Sequence, residues 1–334
     1  MSLKIECNAK KEKFIQSLSC NHKYKRSISK EKMKLYFEDS AFFEKILSKL
    51  KTYFYENRSE NEVLNLILNE NKKYLGGFIE LFFTYFLSDN FPKMIISNKV
   101  PEYLKENYAF PLANFSTSLE SLEFPKINGK IMIKPNLVSI YPYPETTDRG
   151  LIEVILRKLR DRNSENEIII ADGPSLFFSS RMSFDNQLRN IAKKFSAKLI
   201  DLNRSTYLKY RFFGKETELY VPKELFDINF LINIANMKER NSAGISGAVK
   251  NHFGLIAPFQ RLSFHRNGNL IESIKEVYSC LRANLNILDA RKVMVCAQQR
   301  LYGGVEKLGK GFFYGTDAIE LDKHASKILF GDVK

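Results

Sequence analysis

Apolar residues change their spacing part-way along this chain. From residue 35 to 115 they recur every three or four positions, as in "FFEKILSKLKTYFYE", "NEVLNLILNENKKYL" and "GGFIELFFTYFL", the period of an amphipathic helix. Ser59 and Glu62 supply a capping-box start within that region. After "NFSTSLESLEFPKINGK" the grammar becomes short apolar runs separated by helical stretches. The pattern predicts strands at 131–140, 167–173, 197–203 and 226–235, a hairpin-like pair around "FGKETELY", and a strand at 285–297. Helices are predicted at 149–162, 184–196, near 245–256 and 270–285, and from Asp317 onward. A glycine-rich segment, "YGGVEKLGKG" (302–311), reads as a mobile lid or edge loop before a short strand "FFYGT". It lacks the GK[ST] ending of a phosphate-binding loop and fits no GxGxxG.

Strands alternating with helices imply an α/β fold: a mainly parallel, Rossmann-like sheet flanked by helices and preceded by a helical N-terminal region. The expected organisation is a basic arm over 1–34, a helical accessory region over 35–120, and an α/β domain over 121–334.

Composition narrows the class. The chain has 334 residues, 44% of them hydrophobic, which is enough for a substantial core. The net charge of +14 favours encounters with small anions, nucleic acid or anionic lipid. The surplus lies in the lysine-rich arm and in the last two thirds. Four cysteines, Cys7, Cys20, Cys280 and Cys296, contain no CxxC pair, so no iron-sulfur cluster is expected, and sparse usage fits a reducing cytosol. The charged N-terminus has no apolar secretory core, and "GGFIELFFTYFL" is too short to span a bilayer, so a cytoplasmic protein with no transmembrane segment is expected.

In an open α/β sheet a ligand sits beyond the carboxyl ends of the strands. Lys134, Pro135 and Asn136 interrupt "IMI…LV" there, although an edge strand with a solvent-facing Lys134 explains them equally well. Asp172 ends the next strand in "ADGPS"; it is either a turn residue or a base that orients Lys134. Most telling is "RNSAGISGAVKNHFG" (240–254), where Ser242, Ala243, Gly244, Ser246, Gly247 and Ala248 clear space ahead of Lys250 and Asn251. Backbone N–H groups at Ser246 and Gly247 would hold an anion, with Lys250 one turn into the following helix. Tight helix-on-sheet packing with a solvated lysine is the plainer account of the same residues. His265 is a candidate base, Asp289 closes the strand "LNILD", and Thr147, Lys238 and Arg240 complete the substrate-binding candidates. Asp317 is a helix cap, with Asp322 on the same helix.

The segments "IMIKPNLV", "TTDRGLIEVILRKL", "IIIADGPS", "INIANMKERNSAGISGAVKNHFGLI", "NILDA" and "TDAIELDKHAS" appear in the order found in the family called domain of unknown function 362, and the chain resembles it over roughly residues 128–331. Many members carry a ferredoxin-like insert with clustered cysteines; this chain does not. Where the family has Lys-Thr-His, this chain has Lys238, Glu239, Arg240. A fainter similarity links "AGISGAVK" to the nickel-pincer lactate racemases, and would give Lys250 the cofactor-lysine position and Arg240 that of a nickel-ligating histidine. A guanidinium stays protonated and offers no lone pair, so Arg240 cannot take that role. The expected function is an enzyme acting on an anionic, carboxylate- or phosphate-bearing metabolite. Catalytic candidates are Lys250, His265 and Asp172; substrate-binding candidates are Lys134, Asn136, Thr147, Lys238, Arg240, Ser246, Gly247, Asn251 and Asp289. The organic cofactor, if any, is unknown and no metal site is expected. Two alternatives stay open: an accessory protein served by an external iron-sulfur redox partner, and a nucleic-acid-binding module using the basic arm.

Overall fold

A computed structural model describes residues 95–96, 100–139, 141–175, 183–212, 218–240, 244–266, 270–300 and 303–330. The basic arm and most of the stretch expected to be helical lie outside the described residues.

The main sheet has strands β2 (Asn114–Ser116), β3 (Lys130–Lys134), β4 (Glu167–Asp172), β5 (Lys198–Asp201), β8 (Phe230–Arg240), β9 (Gly244–Ser246), β10 (Leu285–Val295) and β11 (Val305–Gly315). Its order is β2-β11-β10-β8-β3-β4-β5, with β9 paired to β8. The run β5-β4-β3-β8-β10 is parallel throughout. Because β3 is the first of these five strands in sequence, the order reverses between β3 and β8, the topological switch point of a Rossmann-type sheet. A small second sheet joins β1 (Ile95–Ile96), β6 (Tyr207–Arg211) and β7 (Glu218–Pro222).

Strand sequence explains strand position. Ile131, Met132 and Ile133 of β3 are fully buried, as a central parallel strand covered on both faces requires. Burying each contributes roughly 1.5–3 kcal/mol. Helix α1 (Arg149–Arg162) starts where the Asp148 carboxylate accepts from Gly150 N at 2.9 Å, and presents Leu151, Ile152, Ile155, Leu156 and Leu159 to the sheet. Helix α2 (Asn186–Lys194) starts likewise on Asp185, which accepts from Leu188 N at 2.8 Å. Both helices pack on one face with Ile131, Ile133, Ile168 and Ile170. The other face, holding Met132, Ile169 and Leu231, is covered by residues that follow β8. These form α3 (Ala248–Asn251), a 3-10 turn (His252–Leu255), α4 (Pro258–Arg266) and α5 (Leu270–Cys280). The last helix is α6 (Ala318–Phe330). Among the described residues no helix is long and apolar enough to cross a membrane.

Several sequence expectations are corrected here. Strand β3 stops at Lys134 instead of reaching 140, because Pro135 has no N–H for the ladder and the chain turns away. Strand β8 runs five residues past its expected end at 235, held by β10 on one side through Met294–Lys238 and by β9 on the other through Lys238–Ser246. Gly244–Ser246 of the small-residue stretch therefore pair with β8 as strand β9 instead of forming a loop leading into a helix. The glycine-rich segment is no lid: from Val305 onward it is strand β11, antiparallel to β10. A β-carbon at Gly309 would collide with the Ala290 carbonyl, so glycine there permits close strand pairing. The three helical segments quoted for 35–115 lie outside the described residues; the described part of 35–120, residues 95–96 and 100–120, holds strands β1 and β2 and one 3-10 turn (Glu102–Leu104). Pro101 and Pro111 interrupt a helical run there, and β11 offers an edge that β2 fills. Helix α4, covering 258–266, was not visible as a separate element in the pattern.

Candidate functional site

Polar side chains collect at the carboxyl ends of β3, β4 and β8, around the switch point. Two groups lie there, one toward each face of the sheet.

The first is built on Lys134, whose side chain is 1% exposed. Its Nζ donates to Asp172 Oδ1 at 2.6 Å and to the Pro135 carbonyl at 3.2 Å. The other oxygen of Asp172 accepts from Leu137 N at 2.8 Å, so the carboxylate ties the ends of β3 and β4 together. Burial draws the Lys134 ammonium below its ordinary pKa; Asp172 opposes that shift and the guanidinium of Arg261 adds to it. Gly254 sits directly on this pair: a β-carbon there would lie 2.7 Å from Asp172 Oδ1 and 2.9 Å from Lys134 Nζ. Arg261, on α4, donates to the Gly173 carbonyl at 2.5 Å and to Asn203 Oδ1, clamping the turn that follows β4. Asn251 Nδ2 donates to Asn233 Oδ1 at 2.8 Å and to the Ile234 carbonyl at 3.1 Å, fastening α3 to β8. His252 is fully buried. Its Nδ1 donates to the Ala248 carbonyl at 2.9 Å and its Nε2 accepts from Ala283 N at 3.2 Å. Burial pushes its pKa down to about 4, which keeps the ring neutral.

The second group centres on Lys238, 2% exposed. Its Nζ donates to the Glu145 carbonyl at 2.5 Å and, at a longer 3.5 Å, to Asn136 Oδ1. Among the described residues it makes no ion pair. Burial lowers its pKa to about 8, with attraction from Glu145 and Asp172 holding it from falling further. Asn136 and Thr147 are joined twice: Asn136 N donates to Thr147 Oγ1 at 2.7 Å, and Thr147 N to the Asn136 carbonyl at 2.9 Å. Thr147 Oγ1 also reaches Asn236 Oδ1 at 3.3 Å. The buried Glu145 carboxylate accepts from Arg300 N at 2.9 Å and from its guanidinium at 3.3 Å.

The small-residue stretch has a different explanation from the expected one. Gly247 is the N-cap of α3, and the N–H groups it exposes are already taken: Ala248 N donates to Asp322 Oδ1 at 2.7 Å and Val249 N to Asp322 Oδ2 at 3.0 Å. A β-carbon on Gly247 would lie 2.2 Å from Asp322 Oδ1. The space is thus cleared for the chain's own carboxylate. Burial pushes the Asp322 carboxyl up to about 7, and the two N–H donors oppose the shift. Ser246 lies in β9 opposite Lys238.

The remaining candidates fall apart from these groups. Lys250 is half-buried on α3 and donates to Gln298 Oε1 at 2.8 Å. His265 is exposed on α4, its ring 5.5 Å from that of Phe253, and does not join the buried set. Asp289 is fully buried and its carboxylate is consumed by Tyr143 at 3.0 Å and by Arg291 at 2.7 Å, a structural tie in the middle of β10. Arg240 ends β8, and its side chain lies outside the described residues.

Sequence reading missed Arg261, Glu145 and the role of Asp322. Only for Asp322 did a signal exist, a carboxylate in "TDAIELDKHAS" one turn beyond the cap Asp317. For metal, the donor set is poor: among the described residues no three His, Cys, Asp or Glu side chains are grouped to hold an ion. Both ring nitrogens of His252 are engaged by the backbone as well.

Comparison with known proteins adds the following. A family model described as "Domain of unknown function (DUF362)" matches residues 131–327. No curated protein matches the chain. A solved structure, that of the lactate racemase apoprotein from Thermoanaerobacterium thermosaccharolyticum, superimposes with a TM-score of 0.39 and 16% identity, over 72% of this chain and 59% of that one. The chain therefore spans well under two thirds of that protein.

Proposed function

The chain belongs to the family described as domain of unknown function (DUF362), and from that premise and the geometry at the switch point we propose that it is an enzyme acting on a small carboxylate- or phosphate-bearing metabolite. One observation carries the reading. Lys238 is a buried ammonium at the end of β8, beside Asn136, with a backbone carbonyl as its one short partner and no carboxylate paired to it among the described residues. A buried charge left in that condition is costly unless a counter-charge arrives or the proton leaves.

Charge near the switch point supports an anion. The two groups hold Lys134, Lys238 and Arg261 against Asp172, committed to Lys134, and Glu145, committed to Arg300, while Lys250 stands apart on α3. An arriving carboxylate or phosphate would gain from this surplus in surroundings of low polarity. Asn136 and Lys250, both part-exposed, are the side chains an anion would meet first. Asp172 serves as the orienting group for Lys134, so the base role falls to Lys238. A lysine with a pKa near 8 exchanges protons close to neutral pH, the property a general acid or base needs.

The test is thermal stabilisation of the full chain by small anions: acetate, pyruvate, malate, inorganic phosphate and glycerol phosphate at equal ionic strength. At least one should raise the melting temperature saturably, with the effect weakened in Lys238→Met and Lys250→Ala. Equal, non-saturating responses to all anions, unchanged in both variants, would overturn the proposal.

A further inference from the structure

A four-residue helix has no stability of its own, since nucleating a helix fixes several residues for a single hydrogen bond. Helix α3 is four residues long, and its N-cap Gly247 carries no side chain to accept from the first N–H groups. Left alone, those donors would be orphaned at the start of the turn that bears Lys250. Asp322 accepts from both, at 2.7 and 3.0 Å, from a helix 74 residues further along the chain. That helix is itself anchored. Ala318, Leu321 and Ala325 are fully buried in one apolar cluster with Ala248. At its start, Ala318 N donates to Tyr278 OH at 3.0 Å. Asp322 therefore projects from a fixed base onto the turn. Gly247 completes the contact, because any β-carbon there would occupy the place of the Asp322 carboxylate.

We infer that Asp322 is a positioning residue: by capping α3 from α6 it sets the orientation of the Lys250 turn, and the glycine at 247 exists to admit it. The inference rests on the proposed anion site in so far as Lys250 serves that site. The pin itself stands on the hydrogen bonds and on the fit at Gly247.

Hydrogen exchange by mass spectrometry on the full chain tests it, in Asp322→Ala, Asp322→Asn, Gly247→Ala and the double variant Asp322→Ala/Gly247→Ala, alongside titration with inorganic phosphate. Loss of the cap should speed exchange over residues 248–251 by roughly tenfold, the equivalent of about 1.4 kcal/mol of local stability, while a peptide covering α1 stays unchanged. Gly247→Ala should reproduce the effect by displacing the carboxylate. The double variant should be no worse than Asp322→Ala alone, and Asp322→Asn, which keeps one acceptor, should fall between. Phosphate affinity should weaken in the same order. Unchanged exchange over 248–251 in Asp322→Ala, or additive effects of the two substitutions, overturns the pin. If Asp322→Ala does not fold, Asp322→Asn and Gly247→Ala decide by the same readout. A wild-type chain that binds no phosphate counts against the anion site for this probe, and the exchange data then still decide whether Asp322 holds the turn.

Discussion

Replacing Asp172 by Asn should be among the most damaging single changes in the α/β domain. The side chain of Lys134 is 1% exposed and that of Asp172 5%, and they meet at 2.6 Å. Asn keeps the shape and can still accept from Leu137 N, so the perturbation is the loss of one negative charge beside a buried ammonium. Removing one member of a buried pair typically costs about 3–5 kcal/mol, because the remaining charge is stranded. That is a large share of the roughly 5–15 kcal/mol that stabilises most proteins. Lys134→Met should cost a similar amount for the mirror-image reason. The double variant Lys134→Met/Asp172→Asn strands no charge, and should cost at least ~2 kcal/mol less than the sum of the singles. Urea denaturation of the three variants and the wild type, extrapolated linearly to water, measures the coupling. If Asp172→Asn does not fold while the double variant does, the same conclusion holds. Additivity within about 0.5 kcal/mol would refute the view that the two side chains form one buried unit.

Further expectations follow from the same geometry. His252, with a folded pKa of about 4 against an ordinary 6.5, binds its proton less readily in the folded state. The stability it contributes is therefore present above pH 6.5 and lost as pH falls toward 4. The full difference is about 3 kcal/mol. Denaturation midpoints of wild type and His252→Gln should diverge above that window and converge below it; parallel curves would contradict the assignment. Gly254→Ala, whose β-carbon would lie 2.7 Å from Asp172 Oδ1, should destabilise by about 1–3 kcal/mol. In Lys134→Ala/Asp172→Ala, where the crowding atoms are gone, the cost should shrink, and a constant cost would show that Gly254 matters for another reason. Asp322 has the opposite pH sign to His252: its carboxyl is raised to about 7, so its contribution is present at low pH and lost as pH rises through 7. It is only part-buried by exposure, so the change should fall well short of the full shift; comparing wild type with Asp322→Ala between pH 5 and 8 measures it.

Strand identity was legible wherever apolar runs were long and clean. "IMI", "EIII" and "FLINIA" all sit in the central parallel strands, and the helices at 149–162 and 186–194 are marked by Asp148 and Asp185 as caps. Strand ends were not legible, because they depend on neighbours distant in sequence: β8 continues to Arg240 since β9 and β10 hold it. The glycines of 303–311 looked like a loop because a sequence cannot show that Gly309 lies against the Ala290 carbonyl. At the site, Lys134 with Asp172 could be anticipated from the rule that polar groups gather beyond parallel strand ends, whereas the Asn136–Thr147 pair depends on the loop before α1 and was not legible. Asp289 followed the same rule and is spent on Tyr143 and Arg291, because β10 continues to Val295; His265, a candidate base on other grounds, is exposed on α4. The sequence suggests an anionic ligand on the N–H groups of Ser246 and Gly247; the structure has the Asp322 carboxylate on those of Ala248 and Val249 instead, a partner 74 residues away that no local pattern reveals.

The central claim, that Lys238 is the buried cation of an anion site, is tested most directly by the pH dependence of anion affinity. Isothermal titration of the full chain with the best-stabilising anion from pH 6.5 to 9.5 should show constant affinity below about pH 8, where Lys238 is charged. Above it, affinity should fall about tenfold per pH unit, and Lys238→Met should bind weakly at every pH without that break. An affinity flat across the whole range, or a break at the same pH in Lys238→Met, would contradict the account.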